Sequence, residues 1–294
     1  MVLSRAALAG SLLIGFVALG DGRVEVVDPA SVGMSAERLE RIGVRMRRFI
    51  DDGKIPGTVT LIARRGKVVH FEANGRRDVE RDLPMQKDTI FRLYSQTKPV
   101  TGAAVMMLFE EGHFLLSDPI SKYLPEYSDM RVHVEGLEPS EYPPAATQIT
   151  IHHLLTHTSG LTYGFFPTPV GQMYEEAGMS RTAGTIQGLA AWSNRLAELP
   201  LVAEPGTQWN YSVGMDVLGR LVEVVSGKRF GDFLQERIFD PLEMIDTGFH
   251  VPARKIERFA ANYSPSPTGG ITLTDDPRAS PYSRPPDIEM GGGG

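Results

Sequence analysis

Ser95 and Lys98, three residues apart in Tyr94-Ser95-Gln96-Thr97-Lys98-Pro99, are where the chain can do chemistry. A serine hydroxyl is a weak nucleophile until a neighbour takes its proton. A lysine can take it when desolvation and nearby positive charge lower its pKa. Of the eighteen serines, Ser95 alone has lysine at the third following position. The bland alternative makes Ser95 a helix cap and Lys98 a solvated side chain, so other features must decide.

Tyr211 is the second candidate. It closes Glu204-Pro205-Gly206-Thr207-Gln208-Trp209-Asn210-Tyr211, a turn signal running into a helical pattern. Beside an ammonium, a phenol loses its proton more readily and can act as a general base. Read alone, Tyr211 is equally an aromatic with a satisfied hydroxyl.

The elements must bring these residues together. Val100, Ala103, Ala104, Met107, Leu108 and Phe109 recur at helical spacing, and Gly112 supplies a stop. Positions i and i+3 share a helix face, so Ser95 and Lys98 are expected on one side near a helix N-terminus, where free N–H groups favour developing negative charge. Pro99 is tolerated in a first turn. Upstream, Ser35 precedes an amphipathic pattern through Leu39, Ile42, Met46, Phe49 and Ile50, with Gly53 closing it. Residues 58–63 and 67–72 predict a hairpin around Arg64-Arg65-Gly66, and a third short strand is expected at 90–92. Further helices are expected at 151–155, 185–199, 212–225 and 230–239, with strands at 247–251 and 260–263. Residues 276–286 predict a proline-rich loop.

Bulk properties exclude several classes. The chain has 294 residues, 41% hydrophobic and 22% charged, as expected of one large or two interlocked globular domains. Net charge is −6 without a long basic run, which argues against a nucleic-acid partner. Zero cysteines exclude disulfides and thiol catalysis. Residues 6–19 are apolar apart from Ser11, too short for a comfortable membrane span, and residues 1–20 are expected to be an export signal; the alternative is an extra N-terminal helix or a start placed too early, on a cytoplasmic chain. No stable membrane span is expected otherwise.

Ser95-Gln96-Thr97-Lys98, Ile149 to Leu161 (ITIHHLLTHTSGL), the turn at 205–212 and Phe239-Asp240-Pro241-Leu242-Glu243-Met244 together resemble the serine β-lactamase and penicillin-binding superfamily. Within it, the likeness is to class C β-lactamase-like proteins and family VIII carboxylesterases, from residue 28 to the last. It implies an α+β fold: an antiparallel sheet flanked by helices, with a mostly helical second domain. The expected division is 21–115 and 236–294 for the sheet domain and 116–235 for the helical one, with C-terminal strands missing.

The resemblance also implies roles. Ser95 would be acylated, Lys98 would be its proton partner, and Tyr211 would be the base, with the backbone N–H of Ser95 as one oxyanion donor. The candidate pocket residues are Val213, Trp209, Tyr163 and Phe165. It calls for no cofactor and no metal, and for a small-molecule ester as partner. Val213 occupies a position where lactamase-like members carry an asparagine that contacts an amide side chain, which tilts the expectation from amides to short-chain esters. A β-lactamase or D-Ala-D-Ala carboxypeptidase is the first alternative, and a catalytically silent homologue the second. A K-[ST]-G, H-T-G or W-x-G third motif does not occur in the chain. The second oxyanion donor is therefore expected to be missing and the chain impaired. The closing glycines 291–294 are expected to form no element and to bury nothing.

Three patterns compete for attention. His152, His153 and His157 lack the H-E-x-x-H spacing of a metal helix and are expected to serve as hydrogen-bonding groups around a turn. Ser159-Gly160 lacks the first glycine of a nucleophile elbow. Asp246-Thr247-Gly248 is a single copy of an aspartic-protease triplet. Tyr163, Phe165, Phe166 and Tyr174 either line an acyl pocket or pack a loop-rich region.

Overall fold

The computed structural model describes residues 24–179 and 186–293. The apolar segment 1–20 and the predicted helix start at Thr185 lie outside the described residues. The described residues divide into two compact units: those from 24 to 87 with 265–271, and those from 88 to 264 with 272–293.

In the first unit, helix α1 (Ala36–Asp51) starts where the Ser35 hydroxyl accepts the Arg38 N–H, as a cap should. Its apolar face covers an antiparallel hairpin, β1 (Gly57–Arg64) and β2 (Lys67–Asp78). Val32, Leu39 and Val69 form the core there, joined by Ile42 and Ile62. The two-residue β3 (Leu83–Pro84) pairs with β2 and replaces the third strand expected at 90–92.

The second unit is largely helical, with α2 (Thr97–Glu110), α3 (Ile151–Leu155), α4 (Pro169–Glu176), α5 (Gly188–Ala197), α6 (Gly214–Ser226) and α7 (Phe230–Leu234). A π-helical turn at Gln235–Phe239 continues α7. Helix α6 is the centre. Its residues from Gly214 through Gly219, with Leu221 and Val222, are all buried, and α2, α3, α5 and α7 pack against it. Asp216, in its first turn, is a charged residue buried among these apolar neighbours, where charges are rare. Gly227 ends the helix in the left-handed region.

Ile90 makes one parallel bridge to Phe259 and no strand forms at 90–92. The chain turns inward instead, because the Arg92 side chain is buried against Asp275 (2.5 Å), Ser280 (3.2 Å), the Ala260 carbonyl and the Phe259 ring. No strand forms at 247–251, where residues 248–250 bend: Asp246 is clamped by Arg258 at 2.6 and 2.7 Å and by Lys255 at 2.8 Å. The second sheet is a hairpin of β4 (Asn262–Pro265) and β5 (Ile271–Asp275), so the strand expected at 260–263 begins later and β5 was not foreseen. The class is α+β. Among the described residues, no helix is long and apolar enough to cross a membrane.

The closing glycines overturn expectation. Gly291 and Gly292 are buried against α2 and α6. A Cβ on Gly291 would lie 2.5 Å from the Met215 carbonyl oxygen, and one on Gly292 would lie 2.7 Å from Asp216 Oδ2 and 2.9 Å from Tyr163 Oη. Only glycine lets the backbone approach this closely. The Gly291 carbonyl accepts the Thr101 hydroxyl at 2.7 Å.

Candidate active site

Ser95 sits in a 3-10 turn, Tyr94–Gln96, that runs directly into α2. The turn is tight enough to push Tyr94 to a φ of 46°, a costly value for a non-glycine residue. Lys98 follows in the first turn of α2 and is buried. The spacing of three places its Nζ 3.2 Å from Ser95 Oγ.

Tyr211 comes from the segment entering α6. Its hydroxyl donates to Ser95 Oγ at 2.7 Å. The run from Ile149 to Leu161 holds that segment in place. The Asn210 N–H donates to the His157 carbonyl at 2.8 Å, and the Asn210 amide donates to the Leu161 carbonyl at 2.7 Å. His157 Nδ1 lies 3.3 Å from both the Ser212 N–H and the Ser212 hydroxyl, and its ring packs 4.8 Å from Tyr211. His153 pairs with Thr150 in a reciprocal cap at the start of α3. Burial and the Lys98 charge hold His157 below the usual histidine range. Among the described residues no cluster of His, Asp or Glu is arranged to hold a metal ion.

Lys98 has three ammonium N–H donors and three acceptors: Ser95 Oγ, Tyr163 Oη at 3.0 Å and the Gly292 carbonyl. Tyr163 is thus a direct partner of the lysine, a closer role than the pocket lining expected of it. Burial raises the Tyr163 phenol, which stays protonated. For Tyr211, burial pushes upward, but hydrogen bonds to Lys98 and Ser95 and the Lys98 charge outweigh it, so the net shift is downward. Asp216 lies behind this cluster, accepting the Gly292 N–H at 2.6 Å. Burial raises it to about 6, against the opposing pull of that hydrogen bond and of Lys98.

The remaining predicted pocket residues divide. Phe165 stacks on Tyr163 at 4.8 Å and Trp209 stacks on Tyr211 at 6.3 Å, both outer rings being mostly exposed. With Tyr163 and Tyr211 5.4 Å apart, the four rings form a continuous aromatic wall at the mouth of the site. Val213 is buried and reaches a cavity of about 190 Å³ shared with Tyr163, Phe165, Met179, Asp216 and Met290. Tyr174 lies in the core, fully buried and donating to the Pro200 carbonyl. Sequence reasoning missed Asp216 and Gly292. A carboxylate among apolar residues in the first turn of α6 was the available signal for the first.

Comparisons with known proteins show the family. The β-lactamase family model matches residues 44–294. Protein Rv1367c of Mycobacterium tuberculosis is 38% identical over 251 residues, which cover 85% of this chain and 61% of that protein. Esterase EstB of Burkholderia gladioli is 33% identical over 255 residues, with the same shares of 85% and 61%. The solved structure of EstCE1, described as a hydrolase with promiscuous acyltransferase activity, aligns with a TM-score of 0.70 at 30% identity over 88% of this chain and 68% of that one. The chain thus spans about three fifths of the length of these curated relatives. On the match over residues 44–294, it belongs to the β-lactamase family, within the serine β-lactamase and penicillin-binding superfamily.

Proposed function

We propose that the protein is a serine hydrolase that acts through an acyl-enzyme on short-chain carboxylic esters. The observation that carries this reading is the convergence on Ser95 Oγ of Tyr211 at 2.7 Å and Lys98 at 3.2 Å. Proton transfer by such a positioned group contributes about 10²–10⁴ in rate.

Lys98 and Tyr211 act as one coupled base, which must first lose a proton. The pair then takes the Ser95 hydroxyl proton as Oγ bonds to the ester carbonyl carbon. Carbonyl electrons move onto oxygen, and the backbone N–H of Ser95 at the α2 N-terminus stabilises that charge. Collapse restores the carbonyl and breaks the carbon–oxygen bond to the alcohol, which leaves with the proton held by the pair. Water repeats the sequence on the acyl-enzyme, releasing the acid and freeing Ser95.

Esters are favoured over β-lactams and peptides because Val213, where it meets the cavity beside Tyr163, has no group to hydrogen-bond an amide. The aromatic wall of Phe165, Tyr163, Tyr211 and Trp209 suits apolar acyl or alcohol groups. A second reading replaces water with an alcohol as acceptor, and the acyltransferase activity named for EstCE1 supports it. Hydrolysis of p-nitrophenyl butyrate, with Ser95→Ala as control and added short alcohols as competing acceptors, tests both. Turnover equal in the mutant refutes the nucleophile. Fluorophosphonate labelling of Ser95 excludes a silent homologue, and export rests on whether residues 1–20 are removed on secretion.

A further inference from the structure

Asp216 is a fully buried carboxylate on the central helix, and none of the steps above uses it. A lone charge in such a place is costly unless it has a task and a partner. Its partner is the backbone of Gly292, whose N–H it accepts at 2.6 Å. On the other side of the same Cα, the Gly292 carbonyl accepts the third N–H of Lys98. The remaining two Lys98 donors point to Ser95 and Tyr163. In this side-chain position each of these acceptors is engaged, and Nζ is aimed at the nucleophile.

We propose that Asp216 is a positioning residue: it tethers Gly292, and through the Gly292 carbonyl it holds the Lys98 ammonium in line with Ser95. The inference rests on the hydrolase reading for its catalytic meaning, but the tether itself does not. The glycine is part of the device. Any Cβ on Gly292 would stand 2.7 Å from Asp216 Oδ2 and 2.9 Å from Tyr163 Oη, wedging apart the contact that fixes the lysine. The ionisable groups that face Asp216 are Lys98 from α2, Tyr163 and Tyr211 from the segments before α4 and α6, and Tyr127 from the turn at Pro125–Asp129. Lys98 is the one cation among them. Asp216 thus also supplies the counter-charge that lets an ammonium reside in this buried place.

Three variants of the whole chain test this: Asp216→Ala, Asp216→Asn and Gly292→Ala. Each is read by steady-state kinetics on p-nitrophenyl butyrate and by the ¹³Cζ chemical shift of Tyr211 against pH, assigned with Tyr211→Phe. Asp216→Ala removes the acceptor and the charge, and is expected to lower kcat about 10- to 100-fold with KM within about twofold, as a displaced catalytic group would. Asp216→Asn keeps an oxygen for the Gly292 N–H and is expected to recover part of that loss. It also removes a negative charge near Tyr211, so the Tyr211 phenol is expected to titrate at lower pH than in the wild type. Gly292→Ala is expected to reproduce the kcat-selective loss. Asp216→Asn and Gly292→Ala with wild-type kcat and an unmoved Tyr211 titration would overturn the proposal. If the wild type hydrolyses no ester, the hydrolase reading falls by itself. The Tyr211 titration still decides the tether through Gly292→Ala, which keeps the Asp216 charge: the tether stands if that variant moves the titration and falls if it does not.

Discussion

Tyr211 Oη and Ser95 Oγ lie 2.7 Å apart although 116 residues separate them in the chain. The contact exists because α2 packs on α6, which sets the turn before each helix beside the other. The first prediction follows from it. Tyr211→Phe keeps the ring against His157 and Tyr163 and deletes only the hydroxyl. It is expected to lower kcat/KM on p-nitrophenyl butyrate by about 10²–10⁴ with little change in thermal stability. In the wild type, kcat/KM is expected to rise with pH along a limb below the ordinary tyrosine value of 10.0, because Tyr211 is shifted downward and the pair acts deprotonated. A pH–rate profile checks both points.

Asp216 carries a second prediction, on stability. Its folded-state pKa is raised from 3.8 to about 6. As pH rises through that window, the unfolded chain releases this proton before the folded one does. The folded state therefore loses stability from this group as pH rises, by up to about 3 kcal/mol once both states are ionised. Asp216→Asn has no such proton. The Tm difference, variant minus wild type, is expected to grow between about pH 4 and about pH 7. Thermal melts across that range check it.

Gly291→Ala tests the close approach of the glycine run. Its Cβ would stand 2.5 Å from the Met215 carbonyl, which belongs to the central helix and cannot move aside cheaply. The expected cost is about 1–3 kcal/mol, as for overpacking elsewhere. A denaturant midpoint equal to the wild type would show that this backbone yields freely.

Val213 bears on substrate choice. The wild type is expected to hydrolyse p-nitrophenyl butyrate and to leave nitrocefin intact. Val213→Asn places an amide at a buried position, with an expected cost of about 1–3 kcal/mol if the amide finds no partner. Nitrocefin turnover by the wild type at a rate comparable to ester turnover would reverse the preference for esters.

The site was more legible in sequence than the sheet. Ser95 and Lys98 are joined by helical geometry, a local rule, and their spacing brings the two side chains to one side, where Nζ lies 3.2 Å from Oγ. The helix at 36–51 followed from its Ser35 cap and its period, those at 97–110 and 151–155 were expected from their apolar pattern, and α6 lay within two residues of its predicted start. Strands depend on distant partners. Residues 90–92 have an apolar start but lack a neighbouring ladder, and the burial of Arg92 decided the path. Strand β5 carried a signal that was passed over: Gly269-Gly270 leads into the alternating Ile271-Thr272-Leu273-Thr274. The pairing of Asp216 with Gly292 was illegible because it is a contact between residues 76 positions apart, although a carboxylate among apolar residues marked Asp216 itself. Glycine-rich composition suggested an inert tail, whereas the packing surface against α2 and α6 demands the missing Cβ atoms.

The most direct test of the central claim is the mass of the intact protein after brief exposure to p-nitrophenyl butyrate, with the modified residue mapped by peptide sequencing. The expected result is one butyryl group on Ser95, absent in Ser95→Ala and formed far more slowly in Tyr211→Phe. A butyryl group on another residue, or ester turnover undiminished in Ser95→Ala, would contradict the assignment of Ser95 as the nucleophile served by Lys98 and Tyr211.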